Sequence, residues 1–189
     1  MNAYHELLDE IQGDIERLRQ AAGGVLCPVN CFSCCRNTAT MAISAVEARD
    51  LKVGLERLPA EIRSHIRQKA EQSIRKLKAH GYDAENITPE VGMKAIDALK
   101  GTPEGECPML LGGVCTVYEH RPVICRVWGY PIHNSNEIAC CNKTFLGKRR
   151  RFPPLNYNRY WRMCQNLSAE LGATEKKPNC YLVSQLLSE

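Results

Sequence analysis

Cys27-Pro28-Val29-Asn30-Cys31-Phe32-Ser33-Cys34-Cys35 packs four thiols into nine residues. Pro28 and Asn30 favour turns, and Gly23-Gly24 just ahead frees the approach, so the stretch reads as a loop. A second thiol group lies far along the chain, at Cys107, Cys115 and Cys125, followed by the pair Cys140-Cys141. The N-terminus, Met1-Asn2-Ala3-Tyr4-His5-Glu6, has no basic region leading into an apolar one, so no secretion signal is visible. The expected location is the cytoplasm, where thiols stay reduced. The total of 11 cysteines is odd, which suits a closed disulfide framework poorly. The thiols therefore read as metal ligands, and the fold as one built around them.

Thiolates hold zinc ions or iron–sulfur clusters, usually four per centre. Turns between Cys27, Cys31 and Cys34 let these three converge, and distant cysteines close the site. Cys35 is harder to place beside Cys34, because neighbouring side chains diverge. Such a pair implies two metals, a multi-iron cluster, or one ligand with one reserve thiol, and Cys140-Cys141 raises the same question. The nine cysteines from Cys27 to Cys141 suffice for two four-cysteine centres with one left over, or for one cluster and several packed thiols. Cys164 and Cys180 stand alone on expected helices and read as small core residues.

Around the thiols the chain is mainly helical. Leu7, Leu8, Ile11, Ile15, Leu18 and Ala22 recur at helical spacing over residues 3–22, and Gly23-Gly24 ends the pattern. Ser44-Ala45-Val46-Glu47 is a capping box opening a helix to about Leu58. Pro59 suits the first turn of the next helix, which ends at Gly81 and buries Ile62, Ile66, Ala70, Ile74 and Leu77. Thr88-Pro89-Glu90 starts a helix over 89–100, ended by Gly101. Gly112-Gly113 between short apolar runs predicts a β-hairpin with Cys107 and Cys115 on adjoining strand positions. Pro122 opens a helical turn that carries Cys125 and Arg126. Residues 129–153 read as an irregular loop. Residues 155–171 read as a helix with Tyr160, Met163, Leu167 and Leu171 on one side, and a last helix spans 179–188. Trp128 and Tyr130 read as core or loop packing.

The net charge of +4 is modest. Lys143, Lys148, Arg149, Arg150, Arg151, Arg159 and Arg162 occur with no acidic residue among them, and read as a solvated face more than as a nucleic-acid surface. No apolar run is long enough to span a bilayer. The partners this implies are a metal ion or cluster, with a protein partner left open, and neither membrane nor nucleic acid.

Cys27-x3-Cys31-x2-Cys34 resembles the radical S-adenosylmethionine motif in spacing alone: Ser33 stands where an aromatic residue is usual, and the motif follows a helix instead of a strand. A broader pattern is more specific. Cys27, Cys31, Cys34 and Cys35 resemble the C-x2-C-x2-C-C motif of the YkgJ-like cysteine-cluster family, with one extra residue between the first pair. Cys107-Pro108-Met109-Leu110, Cys115, Tyr118, Arg121-Pro122 and Cys125-Arg126 resemble its second signature. The resemblance covers residues 27–126 and implies a zinc- or iron-chelating domain. A related domain occurs in flagellin lysine-N-methylase, so the resemblance also admits a metal-dependent modifying enzyme.

The expectation is a mainly α single domain with a small β-hairpin, irregular and stapled by metal. Residues 1–26 form an N-terminal helix, 27–126 the family core, and 127–189 a C-terminal loop and helices. Its expected function is to hold a [4Fe–4S] cluster or Zn2+, with electron transfer as one use. The alternatives are a modifying enzyme and a structural zinc interaction module. The candidate ligands are Cys27, Cys31, Cys34, Cys35, Cys107, Cys115, Cys125, Cys140 and Cys141. Arg121 and Arg126 are candidates to donate hydrogen bonds or positive charge to the thiolate centre, with Tyr118 and His120 close by in sequence.

Overall fold

A computed structural model describes residues 3–23, 31–82, 89–134, 137–141, 152–172 and 177–188. Cys27 and the basic positions Lys143, Lys148, Arg149, Arg150 and Arg151 lie outside them. The described chain is mainly helical with small antiparallel β-ribbons. It divides into two compact units, each discontinuous in sequence.

The first unit takes residues 1–31, 44–47 and 121–174. Helix α1 (Ala3–Ala21) buries Tyr4, Leu7, Leu8, Ile11, Ile15 and Leu18 along one stripe, as its periodicity demands. Gly23, at φ 80°, follows the helix end, where a left-handed residue satisfies the last carbonyls. The unit also holds a short helix after Pro122 (Val123–Val127) and a longer one (Tyr157–Glu170). The stripe of α1 packs against both of these helices. The Tyr157–Glu170 helix buries Tyr160, Cys164 and Ser168, four residues apart in turn. The stripe expected there was Tyr160, Met163, Leu167 and Leu171, but Leu171 is 44% exposed. The Ser168 hydroxyl is buried because it makes two hydrogen bonds, as described below, and the Cys164 thiol packs beside it as a small core group.

The expected irregular loop after Gly129 holds a hairpin instead. Strands Ile132–Asn134 and Glu137–Ala139 pair antiparallel, with Ile132 opposite Ala139. Ile132 is fully buried, and His133 N–H donates to the Leu155 carbonyl at 2.8 Å. Strands this short leave little periodicity to detect. Trp128, expected to pack, is 44% exposed.

The second unit takes residues 32–43, 48–120 and 175–189. Helix α2 (Ala45–Glu56) contributes its later turns, followed by α3 (Ala60–Ala79) and α4 (Pro89–Leu99). Numbering onward in chain order, the helix Val123–Val127 is α5, Tyr157–Glu170 is α6, and Asn179–Leu186, in this second unit, is α7. α3 is the centre of the unit, packed by α4 and α7. Its Ile66, Ala70 and Leu77 join Leu51, Leu55, Leu99, Met109 and Val183 in one core. Each fully buried Leu or Ile contributes about 1.5–3 kcal/mol by leaving water. Ala42 and Ile43 pair with Pro178 and Lys177 in a two-stranded ribbon. The Gly112-Gly113 hairpin forms as its sequence predicts, between Leu110–Leu111 and Val114–Cys115. Both turn glycines have positive φ, 56° and 79°, the geometry of a two-residue turn that follows strand twist.

Among the described residues no helix is long and apolar enough to cross a membrane.

Candidate functional site

In the second unit the first cysteine loop becomes a short 3-10 turn, Ser33–Asn37, lying against the segment that carries Cys107. Three hydrogen bonds clamp the two together. Cys107 N–H donates to the Cys35 carbonyl at 2.7 Å, and Ala39 N–H donates to the Gly105 carbonyl at 3.2 Å. Gly101 N–H donates to Asn37 Oδ1 at 2.9 Å. Gly105 is required here: a Cβ would lie 2.1 Å from the Leu99 carbonyl oxygen. Helix α3 holds the same segment as well. Ser73 Oγ donates to the Glu104 carbonyl at 2.6 Å, and Lys69 Nζ to the Leu110 carbonyl at 2.7 Å.

The hairpin completes this arrangement. Cys115 stands opposite Leu110, and Leu110 N–H donates to the Cys107 carbonyl at 3.0 Å. Cys107 therefore precedes the hairpin in a turn and does not share a strand position with Cys115. Its expected place fails because the ribbon is only two residues long on each side. The ring of Phe32 packs on the turn, where a Cβ on Gly113 would meet it at 3.1 Å. The Arg36 guanidinium sits 5.1 Å over the same ring, a cation–π contact. Cys107 is buried within the core, and Cys35, Cys115 and Phe32 pack against that core. Cys34 is half-buried.

The remaining candidates belong to the first unit. Cys125 lies on α5, Cys140 and Cys141 follow the second hairpin, and Cys31 ends the unit's first segment. All four are half-buried. Arg126 Nε donates to the Arg121 carbonyl at 2.8 Å, so part of that guanidinium is engaged with its own helix entry.

The same unit contains a buried polar cluster. Glu47 is only 2% exposed. Its Oε2 accepts from Ser44 N–H at 2.9 Å, the glutamate half of a capping box, and from Ser44 Oγ at 2.5 Å. Its Oε1 accepts from Val123 N–H at 2.9 Å, so one carboxylate serves the starts of both α2 and α5. Ser168 Oγ donates to the Cys164 carbonyl at 2.7 Å and accepts from Val46 N–H at 3.1 Å. Burial pushes the Glu47 carboxyl above its ordinary value, against the opposing effect of the bonds from Ser44 and Val123. Burial likewise raises the Cys164 thiol, with the nearby Glu47 charge adding to it. Cys164 is therefore a packed core thiol, as its isolation suggests. Tyr157 is raised by burial and then by Glu47, Cys164 and Cys125, which places its phenol within electrostatic range of all three.

One further group was not anticipated. In the second unit His120 Nδ1 lies 3.2 Å from Asp50 Oδ2, out of line for a hydrogen bond, and its Nε2 is 3.4 Å from an Arg57 nitrogen. The ring occupies the space above Gly54, where a Cβ would lie 2.7 Å from His120 Cδ2. The signal was present as Asp50 and Gly54 one turn apart on α2 with Arg57 just past its end, a glycine interrupting a good helix.

Thiolate chemistry suits zinc or an iron–sulfur cluster. The eight described candidates are divided, with Cys34, Cys35, Cys107 and Cys115 in one unit and Cys31, Cys125, Cys140 and Cys141 in the other. Among the described residues no three His, Cys, Asp or Glu side chains are grouped so as to hold a metal ion. What is gathered is backbone: Cys35, Cys107 and the strand of Cys115 are consecutive neighbours in one hydrogen-bonded chain of segments. The chain matches no family model, no curated protein and no solved structure.

Proposed function

We propose that this chain is a thiolate metal-binding protein, holding a zinc ion or an iron–sulfur cluster through Cys34, Cys35, Cys107 and Cys115. The observation that carries this reading is the 2.7 Å bond from Cys107 N–H to the Cys35 carbonyl, which joins two cysteine groups far apart in sequence. Cys115 follows through the hairpin register. Among the described residues no three such side chains are grouped to hold a metal, so binding would draw thiols together from segments whose backbones are already linked. The donors must lose their protons to bind, which couples metal uptake to proton release and to folding. The resemblance to the YkgJ-like family points to the same chemistry.

Anaerobic purification with iron, sulfide and zinc analysis tests the proposal. Wild type is expected to carry stoichiometric zinc, or iron and sulfide in equal amounts. Cys107→Ala and Cys35→Ser are each expected to lower that content by at least half. Full metal retention in both variants, with unchanged thermal unfolding, would sink the assignment.

A further inference from the structure

We propose that Cys35 and Cys107 are a peroxide-oxidisable thiol pair, whose disulfide removes two donors from the metal site. The regulatory half of this inference rests on the proposed metal function; the cross-link itself does not.

The argument begins with the backbone. A disulfide requires Cα atoms roughly 4.4–6.8 Å apart. With standard bond lengths, one N–H to carbonyl bond keeps the two Cα atoms within roughly 7 Å, so the pair can reach that range. Cys35 and Cys107 share such a bond at 2.7 Å, flanked by the Ala39–Gly105 and Gly101–Asn37 bonds that stop the segments sliding. Both side chains reach one apolar core, Cys107 from inside it and Cys35 from its edge. Among the described residues of the second unit, no other two cysteines share a backbone hydrogen bond of this kind across the fold. Because the clamp is formed before oxidation, little conformational entropy remains to be lost on closing the link.

The two thiols differ in access. Cys35 is half-buried, whereas Cys107 is 8% exposed. Cys35 is therefore the thiol that meets the oxidant. Its thiolate attacks one oxygen of hydrogen peroxide; the O–O bond breaks and hydroxide leaves, taking up a proton to become water. Cys35 is now a sulfenic acid. The sulfur of Cys107 attacks the Cys35 sulfur, the S–O bond breaks, the S–S bond forms and a second water departs. Two thiols have given two electrons to one peroxide. A thiol reductant reverses the link by exchange.

The test uses the full-length chain in metal-free and zinc-loaded forms, with hydrogen peroxide as oxidant. In the metal-free form, a pair of thiols should disappear from a colorimetric titration. Fragmentation of the non-reduced digest should place the new link between Cys35 and Cys107, and a phosphine reductant should restore both thiols. In the zinc-loaded form, zinc released to a chromogenic chelator should rise in step with that link, and Cys107→Ser should abolish the link. A link between Cys34 and Cys35, a link to Cys115, or no link at all would overturn the proposal. Zinc release that does not follow the Cys35–Cys107 link would overturn its regulatory half. If wild type takes up no metal, the metal function fails, while mapping on the metal-free chain still decides the cross-link.

Discussion

Glu47 is a single carboxylate asked to satisfy two helix starts. Ser44 and Val123 supply its three donors, and nearly all of its surface is withdrawn from water. Glu47→Gln replaces one acceptor oxygen with a donor, which must then face an N–H or an O–H. An unsatisfied buried group of this kind costs about 1–3 kcal/mol. The pH dependence has a definite sign. Because burial raises the folded-state carboxyl above its ordinary value of 4.5, the folded chain keeps this proton where the unfolded chain has lost it. The contribution is fully present below pH 4.5 and is lost as pH rises through the higher folded-state value. Urea denaturation at several pH values should therefore show the stability gap between wild type and Glu47→Gln narrowing as pH rises. A gap independent of pH would contradict the assigned shift.

At the scale of elements, the Gly112-Gly113 turn separates two effects that usually come together. Both residues have positive φ, so alanine at either position is strained by about 1 kcal/mol. A Cβ on Gly112 meets nothing within 4 Å, whereas one on Gly113 meets the Phe32 ring at 3.1 Å. Gly113→Ala should therefore lower thermal stability more than Gly112→Ala, and only Gly113→Ala should shift the Phe32 ring resonances. Equal losses with an unmoved ring would argue that Phe32 does not rest on the turn. This hairpin was legible because its signal is local, two glycines between apolar runs. The same holds for the stripe of α1 and for the Ser44–Glu47 box. The hairpin after Gly129 was not legible, since strands of three residues carry only one and a half periods. The buried face of α6 was misread because Ser168 is buried for the bonds its hydroxyl makes and Cys164 as a small packed thiol. Sequence pattern reports hydrophobicity, not hydrogen-bond demand. For the candidate site, spacing grouped the thiols by proximity along the chain. The fold separates Cys31 from Cys34 into different units and joins Cys35 to Cys107.

On the scale of the whole molecule, the two units draw on different sources of stability. In the first, α1 and α6 bury Tyr4, Leu7, Ile11 and Tyr160, and large apolar side chains of this kind contribute about 1.5–3 kcal/mol each. Those helices are long and pack on one another. The thiol-bearing part of the second unit is built from a 3-10 turn, a glycine-dependent loop and a ribbon of two-residue strands. Elements this short close few of their own hydrogen bonds, so their local opening free energy is low unless something ties the side chains. A metal held by Cys34, Cys35, Cys107 and Cys115 would be that tie. Amide hydrogen exchange before and after treatment with a zinc or iron chelator is therefore expected to differ by region. Residues 33–39 and 105–116 should lose protection by tenfold or more, corresponding to about 1.4 kcal/mol of local stability. The amides of α1 and α6 should exchange as before. Loss spread evenly over both units would mean that the metal supports global folding instead of this clamp. Unchanged exchange at 33–39 and 105–116 in a chain shown to have lost its metal would place the ligands elsewhere, with the half-buried Cys31, Cys125, Cys140 and Cys141 of the first unit next to be substituted.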